Sequence, residues 1–507
     1  MITVEAMEIS LVRQGVAEGW LPTIAGLLEE GAGVRLANSP ELLPGAGWTT
    51  LFTGRPPQDH LLFFNHQLAP GTTRIEAVDG DRSRLPVFWQ FVSEAGLRST
   101  VVSIHSAPRV EPFHGTQLHW GTGEPYSTQS GKPWSNRPEV LDSLRRRWPE
   151  RRFGFLDRLP RSPAEFRQYL DEVCRQIRFQ GEALAHLAES TEWNFFLGNI
   201  YETHEAGHLL WHLQDSQDGG EELRQPMRRV YQEVDAAIGR LLATRDGDTR
   251  TFLLTTTGMT RQIPTFHATR SFLVQGGWLS LAEQAPAGRD RWLWLAGRAR
   301  PAVHRVTPLA VRRALSRLAP QVHATMVAAA PLLGVDWSAT SAFPLPNDTT
   351  SAVRFNVAGR EPEGVVEPGP AYDRLVDDID AAARELVDAR TGTPVARQVY
   401  RMDRFLGVPA VGDVLPDLVV EWQPLAAETL DSPRTGRITV PTDPRTGDHR
   451  PEGFLIAVGP GLAPRPGALD GDDAYTLLDI APTVLTALGV DVPPSLRGRV
   501  IADVLPA

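Results

Sequence analysis

Apolar positions along the chain alternate between short continuous runs and longer stretches at helical spacing. Ile2–Glu5 is a short apolar run and predicts a strand, and Glu8–Gly19 follows with helical periodicity. Leu21, Pro22, Ile24, Leu27 and Leu28 start a second helix, which Gly31 stops. A turn-rich stretch, Ser39–Gly47, leads into Trp48–Thr53. Val87–Ala95 predicts a helix and Ser99–Ile104 a strand, and Glu139–Gly154 is charged and helical. Pro163–Ala188 is a long amphipathic helix that ends before the strand Trp193–Ile200. Arg228–Leu242 repeats the helical pattern before the strand Thr251–Thr255. Helices alternating with apolar strands predict an α/β fold, with a doubly wound, mostly parallel central sheet and helices on both faces.

Residues 285–345 break this pattern. They hold Trp292, Trp294 and the Arg-rich run VRRALSRLAP, with few strand signals. They predict a helical insertion or cap, leaving 1–284 and 346–507 as the α/β core. Its basic residues either face an anionic substrate or form a solvated helical face. Ala352–Val357, Ala371–Leu386, Val399–Phe405 and Leu418–Trp422 resume the alternation. Gly453–Val458 and then Leu478–Leu488 read as strand, loop and helix. There is no internal repeat and no low-complexity tract.

Composition narrows the function classes. The 507 residues are 42% hydrophobic and 22% charged, ordinary for a globular protein. A net charge of -10 argues against a nucleic-acid partner. Lys132 is the sole lysine, so Arg carries almost all positive charge. Cys174 is the sole cysteine, which excludes a disulfide within the chain and a cysteine metal cluster. In the helical context VCRQIRFQ it reads as a buried structural thiol. The start MITVEAMEIS lacks the basic and apolar regions of a signal peptide, and no window reaches transmembrane length. A cytoplasmic location and no membrane partner are therefore expected. The pattern specifies no oligomeric state.

Five segments carry candidate chemistry. In NIYETHEAGHLLWH, residues 199–212, His204 and His208 are four apart after an apolar strand. On a helix they share one face and can ligate one ion, at the sheet edge where α/β folds place their sites. Such histidines also cap or pack. His212 continues the spacing, with Glu202 and Glu205 nearby. In GDHRPEGFLIAVGPG, residues 447–461, His449 sits in a glycine-flanked loop before a strand. It is the candidate third ligand, or else a loop cap. Three neutral imidazoles with one open position suit zinc, which acidifies water. In LLPGAGWTTLFTGRPPQDH, residues 42–60, the turn can offer backbone N–H groups to an anion, with Thr49, Thr50 and Arg55 as polar candidates. Taken alone, the segment reads as an ordinary helix start with capping threonines. RFNVAGREPEG, residues 354–364, groups Arg354, Asn356, Arg360 and Glu361 around a glycine turn. These either bind phosphate or carboxylate or brace the turn as an Arg–Glu pair. HWGTGEPY, residues 119–126, is a candidate pocket loop.

The blocks VEAMEISLV with GWLPTIAGLLEEGA, GWTTLFTGRPPQDH, ETHEAGHLLWH, VYQEVDAAIGRLL with TFLLTTTGM, RFNVAGREPEG, DVLPDLVVEW, GDHRPEGFLIAVGPGL and LLDIAPTVLTALGVDVPPSLRGR occur in order along the chain. Together they resemble the type I phosphodiesterase/nucleotide pyrophosphatase branch of the alkaline phosphatase superfamily. The resemblance implies two adjacent metal sites at the carboxyl edge of the sheet. It implies a Ser or Thr nucleophile between them, and phosphate or related ester substrates. Against that pattern, Glu5 stands at the aspartate that ends the first strand. His204 and His208 stand at an Asp-x-x-x-His pair, and His449 at the late histidine. Thr256 and Thr257 stand at an Asp-His pair, and threonine hydroxyls are poor zinc ligands. Pro44 stands at the nucleophile, and neither it nor Gly45 can attack. The expectation is one zinc ion on His204, His208 and His449, with no second ion. Glu5 is a further ligand or, like Glu202, a general base. The substrate is a small anionic molecule. Three functions stay open: direct hydrolysis of a phosphate, sulfate or other ester; metal-assisted transfer, elimination or cyclisation; and binding without turnover.

Overall fold

The computed structural model describes residues 1–38, 43–78, 80–120, 133–148, 160, 162–214, 223–282, 328–408, 411–441, 443, 445–462, 464–465, 469, 471 and 475–505. Its centre is a nine-stranded sheet in the order Tyr475–Thr476, Ala32–Ala37, Glu452–Val458, Thr251–Thr255, Ile2–Val4, Phe195–Ile200, Ser99–Val102, Gly115–His119 and Trp134–Ser135. The strands from Thr251–Thr255 to Gly115–His119 run parallel. Glu452–Val458 lies antiparallel to both of its neighbours.

Side-chain alternation explains why these strands read as continuous apolar runs. Leu253, Phe454 and Ile456 pack into one layer, while Phe252, Leu254, Leu455 and Ala457 pack into the other. Helices Ile9–Ala17, Pro22–Glu30, Pro163–Ser190 and Pro226–Leu242 cover the first face. Gly47–Thr53, Phe88–Glu94 and Ile480–Ala487 cover the second. The expected doubly wound, mostly parallel sheet is present. The long helix starts where Ser162 caps it, accepting a hydrogen bond from the Glu165 N–H at 3.3 Å, with proline in its first turn.

The later strands depart from expectation. Ala342–Leu345, Thr350–Phe355, Leu418–Trp422 and Ala396–Arg401 do not extend the central sheet but form a separate antiparallel one. An antiparallel sheet tolerates one solvated face, and Ala396–Arg401 carries exposed Arg397 and Gln398 in its middle. Ala342–Leu345, at the end of the stretch expected to be a helical insertion, is instead a strand of this second sheet. Residues 283–327, with Trp292, Trp294 and the Arg-rich run, lie outside the described residues, as do Lys132, the loop after Trp120 and the end of the helix expected over Glu139–Gly154.

Gly47–Thr53 is anchored by a buried histidine. His60 Nδ1 accepts the Leu62 N–H at 3.1 Å, so Nε2 carries the proton and donates to Thr50 Oγ1 at 3.1 Å. Burial pushes the ring down to about 3, and His66 down to about 4. Both histidines are neutral in the folded chain at pH values where the unfolded chain protonates them. Their contribution is intact above pH about 6.5 and is lost as pH falls toward these depressed values. Lowering pH from 6.5 to 5 is expected to cost about 2 kcal/mol through His60 alone. Urea unfolding of wild type and His60→Gln across this range checks it: the variant's stability should fall less steeply.

Candidate metal centre

The helix Glu202–Leu210 begins at the carboxyl end of the strand Phe195–Ile200, and it places His204 and His208 one turn apart on one face. A two-stranded ribbon, Gly258–Arg261 paired with Gly447–Arg450, brings His449 against that face. The Thr446 N–H donates to the His208 carbonyl at 2.6 Å. The approach is so close that a Cβ on Gly447 would stand 2.4 Å from the Gly207 carbonyl oxygen and 2.9 Å from Trp211 Cβ. Gly447→Ala is expected to destabilise by about 1–3 kcal/mol and to displace His449 from its partners. Paired melting and metal-content measurements check this, and a variant that keeps both wild-type values would refute it.

The three imidazoles converge. His208 Nε2 lies 2.8 Å from His204 Nε2, which lies 3.1 Å from His449 Nε2. One donor atom from each lies within 4.8 Å of the others. His208 Nδ1 stands 2.7 Å from the Gly447 carbonyl, which can only accept, so Nδ1 carries the proton and Nε2 presents its lone pair. Burial first, then His449 and Arg445, push the His208 ring well below its ordinary range, so it stays neutral. Nitrogen lone pairs brought this close repel unless a cation or proton sits among them. Zinc–nitrogen bonds of about 2.0–2.1 Å in a tetrahedral site put the nitrogens about 3.3 Å apart. The donor set and its spacing fit one zinc ion.

The adjoining cleft is lined by Glu5, Gly45, Trp48, Thr49, Asn65, His105, Ser106, Thr256, Thr257 and Asp348, beside His204 and His449. No Arg or Lys is among the described residues lining it. Asp348 is backed by Arg445 at 3.2 Å. Glu5 is buried, with Oε2 3.6 Å from His204 Nδ1, and is not within the 4.8 Å donor group. Thr257 Oγ1 lies 3.5 Å from His449 Nδ1.

Several residues singled out in the sequence lie elsewhere. Thr50 is engaged by His60, while Thr49 does reach the cleft. Arg55 bonds Asp59 at 2.7 Å and the Ser495 carbonyl at 2.6 Å, away from the cleft. Arg354 is buried on Glu361 and on the Gly412 and Leu415 carbonyls. Arg360 spends its donors on Glu361, Asp417 and the Phe355 carbonyl. Asn356 donates to the Trp337, Thr340 and Glu363 carbonyls. Expected to bind substrate, these three instead brace the second sheet, because their donors are taken up by the fold. Glu202 accepts from Gln180 at 2.6 Å and does not line the cleft. His212 turns to Thr446. Asn65, His105, Ser106 and Asp348 went unrecognised in the sequence. His105 and Ser106 share one loop and Asn65 and Asp348 lie in others, and no spacing marks any of them.

A doubly wound sheet with a histidine centre at the carboxyl end of its strands is the architecture of the alkaline phosphatase superfamily of hydrolytic enzymes. Residues 1–333 match the family model of type I phosphodiesterases and nucleotide pyrophosphatases, and the chain belongs to that enzyme family. Phosphonoacetate hydrolase from Sinorhizobium meliloti 1021, solved with phosphonoacetate, shares the fold with a TM-score of 0.51 and 12% identity over 96% of this chain and 95% of that one. Human ectonucleotide pyrophosphatase/phosphodiesterase 5 aligns over 100% of both chains with a TM-score of 0.48 and 11% identity. No curated protein matches by sequence. No helix among the described residues is long and apolar enough to cross a membrane.

Proposed function

We propose that this enzyme hydrolyses a small phosphate or related anionic ester with one zinc ion, held by His204, His208 and His449, and without a Ser or Thr nucleophile. The observation that carries the reading is the convergence of three Nε2 atoms at 2.8 and 3.1 Å. When bound, zinc supplies Lewis acidity toward an ester oxygen and eases removal of a proton from water near neutral pH. Where the family resemblance places a second Asp-His pair and the nucleophile, this chain has Thr256, Thr257 and Pro44, whose hydroxyls and ring are poor zinc ligands, and this supports a single ion. Thr256 and Thr257 hydroxyls and the Asn65 amide are suited to orient the oxygens of the bound ester. The turn Pro44–Ala46, where the family resemblance places the nucleophile, has no hydroxyl, which favours attack by water in a single displacement that inverts the configuration at phosphorus. The same lack of a nucleophile favours, as a second reading, zinc-assisted transfer, elimination or cyclisation.

The test is turnover of aryl phosphodiesters, phosphomonoesters and sulfates by protein reconstituted with one equivalent of zinc. Hydrolysis that survives Thr49→Val and is lost in His204→Ala supports the proposal. Loss of turnover in Thr49→Val would restore a covalent threonine. Zinc binding without hydrolysis of any ester would shift the reading to the non-hydrolytic chemistry. Two tightly bound ions per chain would overturn the single-ion site.

A further inference from the structure

The three rings share an arrangement on their outer sides. His208 Nδ1 meets the Gly447 carbonyl at 2.7 Å, His449 Nδ1 meets Thr257 Oγ1 at 3.5 Å, and His204 Nδ1 stands 3.6 Å from Glu5 Oε2. Each ring has an oxygen behind it and its Nε2 directed at a common point. Glu5 lies on the outer side of His204, and its carboxylate is not among the donors that fall within 4.8 Å of one another.

Glu5 is itself held in place. Its Oε1 accepts the Asn199 amide at 2.7 Å, and Asn199 Oδ1 accepts the Thr3 hydroxyl at 2.9 Å. Thr3 and Asn199 face one another in the parallel pairing of Ile2–Val4 with Phe195–Ile200. Two central strands therefore fix the carboxylate, which is 5% exposed.

We infer that Glu5 is a positioning residue for His204 rather than a metal ligand. This rests on the three-histidine reading above. Its carboxylate faces His204 Nδ1 at 3.6 Å, longer than a hydrogen bond, and its negative charge favours the tautomer with the proton on that nitrogen, which aims the Nε2 lone pair inward and makes the ring a stronger donor. Asp at this position would fall short of Nδ1 by about one carbon–carbon bond, some 1.5 Å. The carboxylate that the family resemblance makes a metal ligand thus stands behind a ligand here.

Cobalt titration of metal-stripped protein, read by its visible absorption bands, with zinc competition for affinity, tests this. Wild type should bind one cobalt. Glu5→Ala should weaken binding about ten- to hundredfold while the saturated spectrum keeps its bands. Glu5→Gln, which keeps the size and one acceptor, should lose less, and Glu5→Asp should behave like the alanine variant. Apo-protein melting curves identify any variant that fails to fold, and Glu5→Gln carries the test if Glu5→Ala is one of these. A changed spectrum at saturation would make Glu5 a ligand, and unchanged affinity would leave it no role at the ion; either overturns the inference. Wild type that binds no more cobalt than His204→Ala would overturn the three-histidine site, and this inference with it.

Discussion

Replacing His449 with alanine is expected to leave the protein without zinc and without the stability that zinc confers. Two imidazoles four residues apart on one helix make an incomplete set, while the third arrives from the distant ribbon Gly447–Arg450. An ion that binds only the folded chain stabilises it by mass action, about 2.7 kcal/mol at a free concentration one hundred times its dissociation constant. Wild type should therefore melt higher when zinc is added after chelation, and His449→Ala should not respond. Elemental analysis of the purified proteins gives the second readout, about one ion per chain falling to near none. Equal zinc in the variant would remove His449 from the site.

Arg360→Met is expected to be the most damaging change away from the cleft, at about 3–5 kcal/mol. Asp417 is fully buried and is gripped by two Arg360 nitrogens at 2.7 and 2.6 Å. Without the guanidinium its oxygens keep two hydrogen-bond donors, the Phe355 N–H and the Tyr372 hydroxyl at 2.7 and 2.9 Å, and the charge is left with the weaker attraction of Arg354, which does not bond it. A buried carboxylate that loses its cation is far costlier than the pair was worth. Denaturant unfolding measures the loss, and KM should stay unchanged because the cluster lies apart from the histidines. Wild-type stability with a raised KM would instead place Arg360 on the substrate.

The Arg360 cluster also marks where the sequence stops being informative. RFNVAGREPEG looks the same whether its arginines face a phosphate or Asp417, a residue 57 positions further on. Thr50 was ambiguous for the same reason, since only the folded chain reveals His60 beneath it. The histidine centre was legible because its spacing is local: two ligands one helical turn apart, and a third flanked by glycine where a core residue has no use for it. Thr251–Thr255 and Glu452–Val458 were legible because burial on both faces makes a strand uniformly apolar. Ala32–Ala37 was missed; its glycine, alanines and Arg35 give no such run, and its pairing partner lies over 400 residues away. The second sheet was assigned to the first because Thr350–Phe355 and Leu418–Trp422 are as buried as the strands of the central sheet, and burial carries no sign of which sheet a strand joins.

The strand Glu452–Val458 wedges between two strands from the first half of the chain. Until it arrives, Ala32–Ala37 and Thr251–Thr255 each present an open edge of unsatisfied backbone groups, inviting association between copies. The residues just ahead of it carry His449. Sealing the sheet and bringing His449 to His204 and His208 therefore depend on one segment and on very distant partners. A chain in which that segment has not docked has neither a sealed sheet nor the third imidazole beside the other two.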